Sequence, residues 1–241
     1  MTGGSADEGL GADALRWLRE LNDIRDGLRR LATVHIKDSE APFLTAMALL
    51  DVTFRPPFID EGADGLSKID VGMRLHAVHN LLAGWELLQI GLPDAAAMHV
   101  RTAIEAPVYL RAASYDDEFA YAWDAGTARV THAFRVLRRH SHAEARAMLK
   151  AVEPVHRAHQ DLSHLSAPVS SLAAPRVGGR GRFIAPQGFL HGPLTEDLAR
   201  RFAAAAVLVL IEVVRVAHGV DGKWEAAVGT FLDSLPRDGE E

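Results

Sequence analysis

A histidine-rich stretch, PVHRAHQDLSHLSAP at positions 154–168, holds the side chains of this sequence that are best suited to chemistry. An imidazole exchanges protons or binds metals near neutral pH, and a guanidinium binds carboxylate or phosphate. On a helix, Arg157, Asp161 and His164 lie along one face, while His159 falls on the apolar, buried stripe. One interpretation is that Arg157 and His164 converge on a small ligand or phosphate. The preferred interpretation is a solvated face with one buried, hydrogen-bonded histidine.

A second candidate lies in the segment MHVRTAIEAPVYL, within a predicted helix over about 94–113 that is apolar on nearly all sides and therefore central. Arg101 and Glu105 are one helical turn apart, so an ion pair between them is easy to form. A charged pair inside a core is a poor way to gain stability, because desolvation can exceed the attraction. The pair therefore indicates either a structural polar network or a site.

Two further groups are weaker candidates. The glycine-rich segment PRVGGRGRF carries Arg180 and Arg182, which form either a cationic loop that approaches phosphate or a mobile surface loop. His76, His79 and His156 could bind a single metal ion, but scattered surface histidines are the preferred interpretation. We favour no metal, and we expect no cofactor because no nucleotide-binding fingerprint occurs.

Composition narrows the function classes. The formal charge of −6 gives no global basic field and no signal for DNA binding. The absence of cysteine excludes disulfides and thiolate chemistry. The N-terminus lacks the features of a signal peptide, and the longest apolar run, 202–211, is about half a membrane span and is closed by Glu212. We expect a cytoplasmic protein with no membrane association.

Helical periodicity and the scarcity of alternating β-branched residues predict an all-α fold: a single bundle of about eight helices. One long insertion rich in glycine and proline, at about 166–193, interrupts it. We divide the chain into a flexible tail at 1–12, one helical domain at 13–235 and an acidic tail at 236–241. The first two helices are predicted at about 13–32 and 39–53, and Ser114 is predicted to cap a short helix that contains Trp123.

The order of these features resembles that of a known superfamily. A helix with RTAIE is followed by FAYAWDAG and then by a helix that ends in LSHLSAP. Over residues 70–168 the chain resembles uncharacterised bacterial helical families near the HEPN superfamily. The resemblance implies an all-α bundle, often dimeric, and for many members a metal-independent RNase with an Arg-x4–6-His motif. Here Arg157 and His164 match that motif at its upper limit of spacing.

Three functions follow as hypotheses. The first, which we favour, is a HEPN-like module that binds a small ligand or a partner protein, in a stress or defence setting. The second is an RNase in which His164 is the base and Arg157 the anion clamp, positioned by Arg101 and Glu105. It ranks lower because Ala158 follows the arginine, where the family usually has a polar residue. The third is the histidine–metal site. We expect a homodimer, with protein or RNA as a partner.

Overall fold

The structure is a computed structural model that describes residues 5–59, 68–163, 176–177, 181–182 and 192–236. It confirms the all-α prediction: these residues form eight helices and one pair of two-residue antiparallel strands. The helices are α1 (Ser5–Val52), α2 (Lys68–Gln89), α3 (Pro93–Ala113), α4 (Asp117–Asp124), α5 (Val130–Arg139), α6 (Ala143–Ser163), α7 (Gly192–Val216) and α8 (Gly222–Asp233). The strands are β1 (Arg176–Val177) and β2 (Gly181–Arg182).

The first helix corrects the sequence analysis. The two helices predicted at 13–32 and 39–53 are one helix, α1, which runs on through Pro42 and begins at Ser5, within the segment assigned to the tail. The residues between the two predicted helices contain no strong breaker and supply Ile36, which is fully buried, as is Phe43 just after the proline. Burial of this apolar face against α7 outweighs the hydrogen bond that the proline removes.

The core is built on three aromatic rings from three helices. Phe43 of α1 stacks on Trp85 of α2 at 4.2 Å between ring centroids, and Phe202 of α7 meets both rings edge-on. Gly84 permits this close approach, because a Cβ at that position would lie 2.4 Å from the Phe202 ring. Burial of each ring contributes about 1.5–3 kcal/mol. Helix α3 packs between this group and α6, which places α3 at the centre of the bundle.

A buried ion-pair network joins α3, α6 and α7. Arg111 donates to both carboxylate oxygens of Glu212, with Nε 2.9 Å from Oε2, and its Nη1 donates to Glu144. Arg215 adds a bond from its Nε to Glu212 at 3.0 Å. Burial by itself would lower the pKa of Arg111, but the hydrogen bonds and charge of Glu212, with a smaller contribution from Tyr115, raise it well above its usual value. The sequence analysis treated Glu212 as the polar end of an apolar run, whereas the structure buries it.

The segment that follows α3 positions Trp123. The predicted cap Ser114 is wrong: Ser114 ends α3, where its hydroxyl donates to the carbonyl of Arg111, and Asp116 caps α4 by accepting from the backbone N–H of Phe119 at 3.1 Å. An aspartate accepts such a bond as readily as a serine, so both residues satisfy the capping pattern. None of the helices in the described ranges combines the length and the apolar character needed to cross a membrane.

Candidate functional site

A cavity of about 400 Å³ opens between α2, α3 and the segment that includes α4. Its side chains of chemical interest are His76 from α2, Glu105 and Tyr109 from α3, and Trp123 from α4. The spacing of one turn between Glu105 and Tyr109 puts both on the same face of α3. The cavity has the size and the mixture of apolar and polar groups that small-molecule sites usually have.

Glu105 is the anchored acidic group of this cavity. Its Oε1 lies 2.9 Å from Nε2 of His156 in α6 and 3.5 Å from Nε of Arg101, one turn earlier in α3. A carboxylate only accepts hydrogen bonds, so we assign the proton to Nε2 of His156. The His156 ring is buried edge-on against Phe134. Both of these contacts use Oε1, and Glu105 also lines the cavity.

Two aromatic side chains form the walls of the cavity. Trp123 lies against Gly72, where a Cβ would come within 3.0 Å of the indole, and Tyr109 packs on Phe119 at 5.6 Å between centroids. Burial raises the pKa of Tyr109, and the charge of Glu105 raises it further, against a smaller opposing effect of a nearby arginine. Tyr109 is therefore a neutral phenol at physiological pH.

The predicted pair of Arg101 and Glu105 is present, and its glutamate lines this cavity. The histidine that the described part of α6 turns inward is His156, because the buried stripe runs through Met148 and Val152 to His156 at steps of four. The sequence analysis placed the inward histidine at His159. The side chains of His159 and Asp161 lie outside the described residues.

Arg157 lies on a solvated face, as the preferred interpretation of the sequence predicts. It is 73% exposed, and its guanidinium donates to Glu153 at 2.5 Å, as does that of Arg138. Burial would raise the pKa of Glu153, but the hydrogen bonds and charges of these two arginines lower it overall. Glu105 instead accepts from His156, and in the described part of the chain Arg157 donates to Glu153 rather than to Glu105. His164 lies outside the described residues.

The remaining predicted residues do not form a site within the described part of the chain. His76 lines the cavity, and both His76 and His79 are exposed. No three histidine, aspartate or glutamate side chains there come close enough to hold a metal ion, so His76, His79 and His156 are not brought together as ligands. Arg180 lies outside the described residues, and Arg182 is described only as part of strand β2.

The sequence analysis missed a basic surface on α5 and α6. Between positions 129 and 157 the chain has seven arginines and lysines against two glutamates, a local net charge of +5 in a chain of −6. All seven cationic side chains are exposed: Arg129, Arg135, Arg138, Arg139, Arg146, Lys150 and Arg157. The signal was present in the sequence, but averaging the charge over the whole chain concealed it.

Three flat rings accompany this basic surface. Tyr115 is roughly parallel to His140 and to His142, at 4.6 and 5.4 Å between centroids. Arg146 lies beside them, since its guanidinium donates to the backbone carbonyl of Ser141 at 3.2 Å. The sequence analysis also missed Tyr109 and Trp123 as cavity residues. Only the one-turn spacing of Glu105 and Tyr109 could have indicated the first of them.

No protein-family model matches the chain, and no curated protein and no solved structure is significantly similar to it. The resemblance to HEPN-like families therefore stays a prediction that depends on its short motifs.

Proposed function

We propose that this chain is a HEPN-like helical module that binds a small molecule in the cavity between α2, α3 and α4. One observation carries the proposal: Glu105, fixed by His156 and Arg101, presents a carboxylate to a cavity of about 400 Å³ with aromatic walls. A fixed acceptor loses little conformational freedom when a ligand binds, which favours affinity. This arrangement supports a binding role for these residues, with no chemical step.

A ligand screen with a blocked cavity tests this proposal. Ala128 lines the cavity mouth and is half-buried, so Ala128→Leu should fill part of the space without entering the core. Ala226→Leu, on the exposed face of α8, makes the same change elsewhere. The screen covers amines, sugars, carboxylic acids and nucleotides, and it measures the melting temperature of each protein.

Compounds that bind the cavity should stabilise the wild type and Ala226→Leu but not Ala128→Leu. A ligand at a hundred times its Kd stabilises a protein by about 2.7 kcal/mol, which for a chain of this size is about 5–11 °C. If no compound stabilises the wild type, or if every active compound stabilises Ala128→Leu equally, the proposal is wrong.

A second candidate, an RNase that uses Arg157 and His164, has separate support in the basic surface of α5 and α6. Clustered cations bind the phosphate backbone, and flat rings such as those of Tyr115 and His142 stack on bases. Single-stranded RNA incubated in EDTA tests this function. Cleavage that is lost in His164→Ala and in Arg157→Ala would support it, and intact RNA across several sequences would refute it.

A further inference from the structure

The charge of the cavity limits the kind of ligand that it accepts. Among the described residues that line it, Glu105 is the one carboxylate, and none is an arginine or lysine. Arg101 contacts Oε1 of that carboxylate but does not line the cavity. An anionic ligand would therefore meet a carboxylate and no lining arginine or lysine, whereas a ligand with a positive charge would find a carboxylate oxygen to bind.

The aromatic side chains favour the same sign of charge. The face of an aromatic ring carries negative potential and attracts a cation that lies within about 6 Å of its centroid, with indole the strongest. Trp123 and Tyr109 both line the cavity, and both are half-buried, so such an attraction is only partly screened by water. Trp123 also packs closely on α2 at Gly72, where a Cβ would lie 3.0 Å from its ring.

Apart from His76, the rest of the lining is apolar or small. Met73 and Ala106 are buried, and Ala128 is half-buried at the other side of the cavity. These groups suit a hydrocarbon or aromatic substituent and offer it no hydrogen bond. The volume of about 400 Å³ is sufficient for an amine that carries one ring or a short branched chain.

We infer that the cavity binds an organic cation, a protonated primary or secondary amine on an apolar group, with the ammonium between Oε2 of Glu105 and the ring of Trp123. This inference rests on the proposed small-molecule function and specifies its ligand. An N–H of the ammonium donates to Oε2, and the apolar group contacts Met73 and Ala106. A quaternary ammonium has no N–H and keeps only the attraction to the carboxylate charge and to the rings.

Three probes of nearly equal size test the inference: 2-phenylethylamine, 2-phenylethanol and phenylacetate. Their Kd values are measured by calorimetry on the full chain, and tryptophan fluorescence serves as a second readout. A hydrogen bond to a charged group contributes enough to make the amine bind about ten to a hundred times more tightly than the alcohol. Phenylacetate should bind more weakly than either of the others.

Two variants and one control locate the effect. Glu105→Gln keeps an oxygen for His156 but removes the charge, so it should abolish the preference for the amine over the alcohol. Trp123→Leu should weaken the amine more than the alcohol. Trp17→Leu, at a tryptophan that is 56% exposed on α1, should change neither. The far-ultraviolet circular dichroism and melting temperature of each variant show whether it is folded.

The possible outcomes separate the inference from the function on which it rests. If the alcohol or the phenylacetate binds as tightly as the amine, or if Glu105→Gln retains the preference for the amine, the inference that the ligand is a cation is wrong. The cavity would still be a ligand-binding site. If neither this amine nor any in the screen binds but another class does and Ala128→Leu prevents it, the inference fails and the function survives. If no class of compound binds, both fail.

Discussion

The buried pair of Arg111 and Glu212 allows a quantitative test of how the bundle is held together. Arg111 is 6% exposed and Glu212 is 1% exposed, so neither charge can return to water without unfolding. Glu212→Gln would leave two guanidinium groups, those of Arg111 and Arg215, next to a neutral amide. Removal of one partner from a buried pair costs about 3–5 kcal/mol, because the remaining charge stays desolvated.

That cost is large for this chain. Domains are stable by about 5–15 kcal/mol in total, so Glu212→Gln should remove a substantial part of the stability. For a chain of this size, the same loss lowers the melting temperature by about 6–20 °C. Urea unfolding followed by circular dichroism at 222 nm measures the free energy directly.

The double variant Arg111→Met, Glu212→Leu distinguishes the loss of a partner from the loss of packing. It removes both buried charges, and it leaves Glu144, which is 69% exposed and can turn to solvent. We therefore expect the double variant to be more stable than either single variant, with a coupling energy of about 0.5–3 kcal/mol. The exposed pair of Arg157 and Glu153 is the matched control, where Arg157→Met should cost no more than about 1 kcal/mol. Two results would refute this expectation. In the first, the free-energy changes of Arg111→Met and Glu212→Leu add up to that of the double variant. In the second, Glu212→Gln costs no more than Arg157→Met.

Three further predictions concern packing, the cavity and pH. Gly84→Ala should destabilise the chain by about 1–3 kcal/mol through overpacking. Gly229→Ala, at an exposed helical site with open space around it, should stabilise it by about 0.5–1 kcal/mol. Urea unfolding of both variants measures the two changes in free energy, which should have opposite signs. Glu105→Gln should lower the pKa of Tyr109, because one of the two causes that raise it is removed; an absorbance titration at 295 nm measures this, and an unchanged titration would contradict the geometry. Glu153 has a lowered pKa in the folded chain, so its contribution to stability is present above its unfolded pKa of about 4.5 and is lost as pH falls through the folded value. Glu153→Gln should therefore reduce the loss of unfolding free energy between pH 6 and 3. If the variant and the wild type lose the same free energy over this range, Arg138 and Arg157 do not act on this carboxylate.

The parts of the fold that depend on local pattern could be predicted, and those that depend on distant partners could not. The periodicity of α3 and the proline at its start give its bounds closely: the helix is predicted over about 94–113 and is observed over Pro93–Ala113. The continuity of α1 could not be predicted, because it depends on packing against α7, more than a hundred residues later in the chain, where Phe43 meets Phe202. A helix boundary is weakly specified by sequence when tertiary burial compensates for a proline.

The same distinction explains what was predicted of the site. Arg101 and Glu105 are one turn apart on one helix, so their pairing follows from helix geometry alone. The partner of Glu105 depends on the rotation of α6 about its axis, and that rotation places His156 inward and leaves Arg157 in solvent. A change of one position along a helix turns a side chain by about 100°. Arg157 and His164, which match the Arg-x4–6-His motif, therefore need not be the residues that contact α3.

Helix α3 carries charged residues that serve two purposes, and their partners tell them apart. Arg111 is surrounded by carboxylates that use all of its nitrogens, so the group is closed and its role is to join α3, α6 and α7. Glu105 uses one oxygen for its protein contacts and lies at a cavity, so the group is open. Substitution of Glu212 should therefore lower stability strongly, whereas Glu105→Gln, which keeps the hydrogen bond from His156, should lower it less and act mainly on ligand affinity. The free energy of unfolding and the ligand affinity of Glu212→Gln and Glu105→Gln test this difference between the two residues. If Glu105→Gln destabilises the chain as much as Glu212→Gln does, Glu105 is a structural residue, and the main observation that supports ligand binding in the cavity is removed.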